Sequence, residues 1–158
     1  MKLKKNEKGF SLVELLVVVI IIAIVAAIAI PNLLASRRAA NEASAISSLR
    51  TIHSAQATYF ATTGANTDYG TLAQLGTANL IDSALASAGN KSGYTFALSL
   101  PGGAPFSDYC ATAAPQTVGS TGDRYFGVGT EGVIYQNLTA AVGCTAGVLT
   151  TAGNSPIQ

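Results

Sequence analysis

One stretch of the sequence sets the architecture of the chain: residues 8–31 read KGFSLVELLVVVIIIAIVAAIAIP. Residues 10–30 are nearly all aliphatic, and at about 1.5 Å of rise per residue they would form a helix of about 30 Å. That length matches the hydrocarbon core of a bilayer. Only Ser11 and Glu14 are polar, so we predict a membrane-spanning helix with one carboxylate near its start.

The charges on either side of the apolar run predict its orientation. Residues 1–9 carry a net charge of +3, and residues 10–158 carry −2. Basic residues beside an apolar span are retained on the cytoplasmic side of the membrane. Everything after residue 30 is therefore predicted to lie across the membrane. The basic excess is a topology signal, and no specific nucleic acid binding is predicted.

Only 11% of the residues are charged, and Ala, Thr, Ser and Gly dominate the chain beyond the apolar run. This fraction is low for a freely diffusing domain. It indicates a surface covered by neighbouring subunits or attached sugar, with a solvated surface of small residues as the alternative.

Two simple interpretations of the apolar run are a secretory signal peptide and a plain membrane anchor. A signal peptide would end at small residues such as Ala27 and Ala29, whereas helix-compatible sequence resumes here after Pro31. An anchor leaves Glu14 unexplained, because a carboxylate in a bilayer costs a few kcal/mol unless it has a partner. The partner is predicted to come from another chain, or to be an α-amino group on Phe10 created by cleavage after Gly9.

Residues 8–16, followed by Pro31, resemble the processing site and N-terminal helix of type IV pilins and of the related type II secretion pseudopilins. The short leader and the Phe after Gly9 resemble the type IVa subgroup. The resemblance implies cleavage between Gly9 and Phe10 by a prepilin peptidase and methylation of the new Phe10 amine. It also implies that Glu14 pairs with that amine on a neighbouring subunit, so that Phe10 and Glu14 act in assembly.

Pro31 lacks an amide hydrogen and clashes with the preceding turn, so a kink or local unwinding of the helix is expected there. A simple helix boundary is the alternative. We prefer a kink, because the sequence after Pro31 is again strongly helical.

The family resemblance and the sequence pattern together predict an α+β fold of the type IV pilin kind, with a long helix packed on an antiparallel sheet of about four strands. Apolar residues spaced by three and four, among them Leu49, Ile52 and Tyr59, continue the helix to residue 62. Arg37, Arg38 and Glu42 lie where this helix leaves the bilayer, and they are expected either to make contacts between subunits or to face solvent or lipid headgroups. Short alternating segments at residues 94–100, 108–113, 124–128 and 133–136 read as strands. The expected organisation is a leader (1–9), a helix (10–62, with 10–30 in the membrane or filament core), a connecting loop (63–92), a sheet (93–136) and a tail (137–158). Two short helices are predicted within the connecting loop: residues 71–75, ended by Gly76, and residues 82–88, with Asp82 as the N-cap and Gly89 as the C-terminal stop.

Cys110 and Cys144 are the two cysteines, and both fall in the part predicted to lie outside the cytoplasm, where a disulfide can form. In placement they resemble the C-terminal disulfide of type IV pilins, which ties the tail to a sheet strand. Two unpaired buried thiols are the alternative.

The chain shows no pattern of an enzyme. His53 is the one histidine and has no second ligand at metal-binding spacing, so a structural or surface role is expected, with no catalytic residue, metal or cofactor. Residues 127–132 read GVGTEG and satisfy the glycine pattern of a dinucleotide-binding loop. The following Val133, Ile134 and Tyr135 favour a strand instead of the helix that such a loop requires, so a hairpin turn is predicted.

The leading functional hypothesis is a structural subunit of a type IV pilus, serving attachment, twitching motility or DNA uptake. Expected partners are further copies of the chain, prepilin peptidase, the pilus assembly platform, minor pilins and the inner membrane before assembly. A type II secretion pseudopilin is the first alternative, although the cysteine pair suits a pilin head and the tail lacks an acidic cluster for calcium. The second is a bitopic membrane protein with a small binding head.

Overall fold

The computed structural model describes residues 9–157. Its three helices are α1 (Leu12–Ala61), α2 (Leu72–Thr77) and α3 (Ser83–Ser87). Its strands are β1 (Asn90–Lys91), β2 (Tyr94–Ser99), β3 (Cys110–Pro115), β4 (Tyr125–Gly129), β5 (Ile134–Asn137), β6 (Cys144–Thr145), β7 (Val148–Leu149) and β8 (Ser155–Pro156). The chain divides into two units, one up to Ser36 and one from Arg37 onward.

The first unit is the apolar part of α1. The helix runs through Pro31, so the interpretation of Pro31 as a helix boundary is wrong. The neighbouring residues of the run keep their helical conformation around Pro31. Because proline has no backbone N–H, the helix loses one backbone hydrogen bond there. The kink at Pro31 remains a prediction.

The second unit, the head, packs residues 42–59 of α1 against one face of a six-stranded antiparallel sheet of order β1-β2-β3-β4-β5-β8. Leu49 and Ile52 of the helix are fully buried against Tyr94, Phe126 and Val128 of the sheet. Apolar residues spaced by three and four along α1 form a buried stripe on the helix. Alternating apolar residues of β2 and β4 form the sheet face that packs against this stripe.

The four longer strands confirm the predicted sheet, but its count of about four strands was too low. The strands β1 and β8 extend the two edges by two residues each, and β6 and β7 form a separate two-stranded ladder. Two-residue strands are too short to show the alternation from which strands are predicted.

The connecting segment contains the two short helices that the sequence indicates. Thr71 caps α2 by accepting from Gln74 N, and Asp82 caps α3 by accepting from Leu85 N at 2.9 Å. The prediction that Gly76 ends α2 is wrong, because the helix continues to Thr77. A Cβ at position 76 would lie 2.3 Å from the Cβ of Ala86, so glycine here permits close packing of α2 on α3.

The glycine-rich residues 127–132 join β4 and β5, which pair as an antiparallel hairpin, as predicted. Gly127 and Gly129 lie within β4, while Gly132 occupies the turn with φ of +75°. Strand β5 follows this turn in place of the helix that a pyrophosphate-binding loop requires, so that arrangement is not formed at residues 127–137.

Candidate assembly and processing site

The predicted cleavage site lies at the start of the described residues. Gly9 and Phe10 precede α1, which begins at Leu12, and the side chain of Phe10 is 78% exposed. A Cβ built on Gly9 meets no atom within 4 Å. The peptide bond between Gly9 and Phe10 is therefore accessible. The leader, residues 1–8, lies outside the described residues.

Glu14 lies in the first turn of α1 and is exposed. A carboxylate in this position is favoured by the partial positive charge of the helix N-terminus. Among residues 9–157, Glu14 makes no ion pair and no side-chain hydrogen bond. The structure thus leaves this carboxylate available to a charge from another molecule.

The surface around Glu14 is apolar from residue 10 to residue 34. Every large apolar side chain from residue 10 to residue 34 is at least 47% exposed. The most hydrophobic window of α1 has a mean hydropathy of 3.3, and the helix is long and apolar enough to cross a membrane. A continuous exposed surface of this extent is far larger than that of soluble monomers and marks a membrane or protein interaction.

A polar cluster at the start of the head was not predicted. We define the Glu42 cluster as Glu42, Arg38, Asp123 and Arg124. Glu42 is 7% exposed, and its Oε1 accepts from the backbone N–H of Asp123 at 2.9 Å. Its Oε2 accepts from Arg124 Nε at 2.7 Å, while Arg38 pairs with Asp123 at 3.0 Å. The sequence predicts that Arg38 and Glu42 contact other subunits or face solvent or lipid headgroups, whereas both bind the head's own β3–β4 loop.

We expect Glu42→Gln to lower the free energy of unfolding of the head by about 2 kcal/mol, because a charged acceptor of several hydrogen bonds becomes neutral. The urea midpoint of the full chain in detergent, followed by the near-UV circular dichroism of the tyrosines, measures this change. All six tyrosines lie in the head, so the signal is specific to it.

Asp82→Asn is the matched control for this substitution. It removes the exposed ion pair with Lys91 but keeps an N-cap on α3, so a change below about 1 kcal/mol is expected. Equal midpoints for Glu42→Gln and the unchanged chain would show that the Glu42 cluster does not hold the head together.

Cys110 and Cys144 form a disulfide between β3 and β6. Val142, before β6, and Leu149, in β7, pack with Cys110 in a second small core on the outer face of the sheet. A Cβ at position 127 would lie 2.7 Å from Val142 and 2.8 Å from Leu149, so Gly127 permits this close approach. The tail is thereby fixed to the sheet by both a covalent bond and apolar contacts.

His53 is structural in the described chain. Its Nδ1 shares a hydrogen bond with the hydroxyl of Tyr109, which is 1% exposed, and burial raises the pKa of the Tyr109 phenol. Tyr69 packs against Tyr109 and Phe60 packs against Tyr69 with tilted rings, and the ring centroids in each pair are 4.8 Å apart. Residues 9–157 contain no group of three His, Cys, Asp or Glu side chains placed to hold a metal.

The exposed apolar helix, its lone carboxylate and the disulfide-bonded head together define a class of protein. Residues 4–30 match the family described as "Prokaryotic N-terminal methylation motif". The long N-terminal helix on an antiparallel sheet is consistent with the α+β fold of type IV pilins. The chain thus carries the N-terminal methylation motif, on a fold that is consistent with that of a type IV pilin.

A particular relative supports this resemblance. Over 38 residues, the chain is 53% identical to the "Type IV wide pilus major component PilA4" of Thermus thermophilus. The match covers 24% of this chain and 29% of the relative, so less than a third of the relative's length is spanned. No solved structure gives a significant match.

Proposed function

We propose that this chain is the subunit of a type IV pilus, held in the inner membrane as a precursor and then polymerised into a surface filament. One observation carries the proposal: the first unit exposes an unbroken apolar surface that contains one carboxylate, Glu14, without a partner among residues 9–157. A soluble monomer would not be stable with such a surface. Lipid covers it in the precursor, and neighbouring helices cover it in the filament.

Cleavage between Gly9 and Phe10 by prepilin peptidase supplies the missing charge. The new α-amino group of Phe10, which is then methylated, reaches the depth of Glu14 in a parallel neighbouring helix when the two helices are offset by about 6 Å, the rise of four residues. Pairing removes the cost of a lone carboxylate in a low-dielectric environment, and it favours one register of neighbouring subunits over others. Pro31, Phe10 and Glu14 are the assembly residues of this proposal.

The partners that follow are further copies of the chain, prepilin peptidase, the assembly platform and minor pilins. Attachment, twitching motility and DNA uptake are the uses proposed for the filament. The name of the relative, a major component of a wide pilus, favours a pilus over a type II secretion pseudopilus. The pseudopilin shares the processed N-terminus, so filaments on the cell surface separate the two functions.

Expression with and without prepilin peptidase tests the proposal. With the peptidase, we expect intact mass measurement to show a chain that begins at Phe10 and carries an N-methyl group. Gly9→Leu should stay at full length, because a Cβ at position 9 meets no atom of the described residues within 4 Å and the substitution is expected to act on recognition by the peptidase.

Ser11→Ala, two residues from Gly9, is the matched control and should be cleaved normally. An unchanged chain that stays uncleaved and monomeric beside active peptidase would contradict the proposal. That result would instead support a bitopic membrane protein with a binding head.

A further inference from the structure

Among residues 37–157, four large apolar side chains are exposed, and they lie in two pairs at opposite ends of the head's sheet. Tyr125 of β4 lies opposite Asn137 of β5, so the loop before β4 and the loop after β5 are at the same end. Val118 in the first of these loops is 57% exposed, and Leu138 in the second is 69% exposed. We define the Val118 end of the head as residues 116–124 and 138–141 together with Arg37.

The other end of the sheet carries the second apolar pair. The first residue of β3 lies opposite the last residue of β4, so the loop before β3 and the β4–β5 turn are together at this end. Val133 in that turn is 39% exposed. Val148 of β7 is 64% exposed, and a Cβ at the preceding Gly147 would lie 3.0 Å from the carbonyl oxygen of Asp108, so the β6–β7 turn packs at the same end. We define the Val148 end of the head as residues 101–108, 130–133 and 146–148.

The Val118 end carries an unpaired positive charge. Arg38 of α1 donates to the carbonyl of Gly119 at 3.4 Å, which holds this part of the helix against the loop of Val118. The carboxylate of Asp123 is paired with Arg38 at 3.0 Å. The adjacent Arg37 is exposed and makes no ion pair within the part of the chain that the structure describes. Its guanidinium is therefore available to a carboxylate of another molecule.

The Val148 end is negatively charged. Asp108 and Glu131 make no ion pair among the described residues. Asp68 joins them, because its Oδ1 accepts from a backbone N–H of the loop before β3 at 2.6 Å. Arg50 lies on α1 three residues before His53, whose ring lies against the β4–β5 turn. The three carboxylates and this one arginine leave a net charge of −2, opposite in sign to the charge of the Val118 end.

We infer that the Val118 end of one head docks on the Val148 end of the head of a second copy in the filament. The two apolar pairs pack against each other, and Arg37 faces the carboxylates of the neighbour. Contact between opposite ends is favoured, because two like ends would bring like charges together. A contact between two different surfaces of identical chains leaves a free end on each side, so it can continue along a filament. The inference rests on the proposed function and adds a contact between heads to the proposed pairing of the apolar helices.

The apolar pairs carry most of the stability of this contact. An exposed ion pair contributes little, so loss of a single carboxylate such as Glu131 should leave the filament yield unchanged. Leu138→Asp should lower the yield about tenfold, because the new carboxylate faces the negative Val148 end. Leu138→Lys faces the same carboxylates with the opposite sign and should lose only about threefold. The mass of sheared surface protein measures the yield, and near-UV circular dichroism of the tyrosines checks that each head is folded.

Cross-linking of introduced cysteines locates the contact in filaments of the full chain. The double variants Leu138→Cys, Val148→Cys and Val118→Cys, Val133→Cys each place one thiol at each end of the head. A short bismaleimide should join neighbouring subunits of these filaments into a ladder of dimers, trimers and longer chains. The two native cysteines are joined in a disulfide and do not react with maleimide.

Ala97→Cys combined with Val148→Cys is the matched control. Ala97 is exposed and lies in the middle of β2, opposite Thr112 and between the two ends of the sheet. This control should give no ladder. Leu138→Cys alone should stay monomeric under the same treatment, because like ends do not meet.

Absence of a ladder from both double variants overturns the inference, and so do cross-linked dimers from Leu138→Cys alone, which would show that like ends meet. Equal filament yields for the unchanged chain and Leu138→Asp also count against it. Chains that are cleaved and form filaments but give no ladder leave the proposed function intact. Failure of the unchanged chain to form filaments beside active peptidase and assembly platform counts against both.

Discussion

Glu14→Ala subunits should insert into the membrane as well as the unchanged chain but yield about a hundredfold fewer filaments, or none. Removing a carboxylate from the apolar run lowers the cost of insertion. In the filament, however, the same change leaves the Phe10 ammonium buried without its partner, which costs about 3–5 kcal/mol per subunit. Alkaline extraction of membranes measures insertion, and the mass of sheared surface protein measures assembly.

Glu14→Gln tests whether assembly requires the charge of the Glu14 side chain or only its hydrogen bonding. The amide keeps the size and polarity of the side chain but cannot neutralise an ammonium group, so it should assemble as poorly as the alanine variant. Glu131→Ala removes an exposed carboxylate from the β4–β5 turn and should assemble normally. Normal filament yield from Glu14→Gln would show that the assigned ion pair does not drive assembly.

Reduction of the disulfide should lower the free energy of unfolding of the head by about 4 kcal/mol, since the bond closes a loop across a sequence separation of 34. For a head of this size we expect a fall of about 15 °C in the melting temperature. Near-UV circular dichroism of the tyrosines in detergent measures the change without a contribution from the apolar helix.

The double variant Cys110→Ala, Cys144→Ala should melt at or below the temperature of the reduced chain, because alanine at the fully buried position 110 also loses apolar contacts. Comparing oxidised and reduced forms of the unchanged chain isolates the covalent bond from this cavity. The same melting temperature for both forms would mean that the tail is held by the packing of Val142 and Leu149 alone.

Local signals predicted most of the fold. The spacing of Leu49, Ile52 and Tyr59 indicated the face of α1 that is buried, and alternation indicated the four longer strands. Asp82 was predicted as an N-cap because its short side chain can satisfy an unpaired N–H at a helix start. Each of these signals depends on residues close in sequence, which is why it can be read without a structure.

Contacts between distant residues could not be predicted in the same way. Glu42 meets Asp123 and Arg124 across about eighty residues, and nothing beside it on the helix distinguishes a buried carboxylate from an exposed one. Gln56 likewise makes two hydrogen bonds to the backbone of Gly70: its side chain donates to the carbonyl at 2.6 Å and accepts from the N–H at 2.9 Å. Both are polar residues on the buried face of a helix, where a periodic pattern predicts apolar ones.

The candidate site was easier to predict from the sequence than the head's polar contacts, because a carboxylate within an apolar run is rarely tolerated in a membrane. An apolar run of 21 residues with one carboxylate is costly unless that carboxylate has a partner, and the run itself offers none. The cleavage at Gly9 came from the family resemblance, since Gly9 and Phe10 have no distinguishing chemistry of their own.

Mass spectrometry of the main protein band in filaments sheared from the cell surface tests the central claim most directly. This band should be the present chain, it should begin at Phe10, and the Phe10 amine should carry a methyl group. Absence of the chain from every surface filament, or filaments whose subunits keep residues 1–9, would contradict it, because Glu14 would then have no matching charge from a cleaved Phe10.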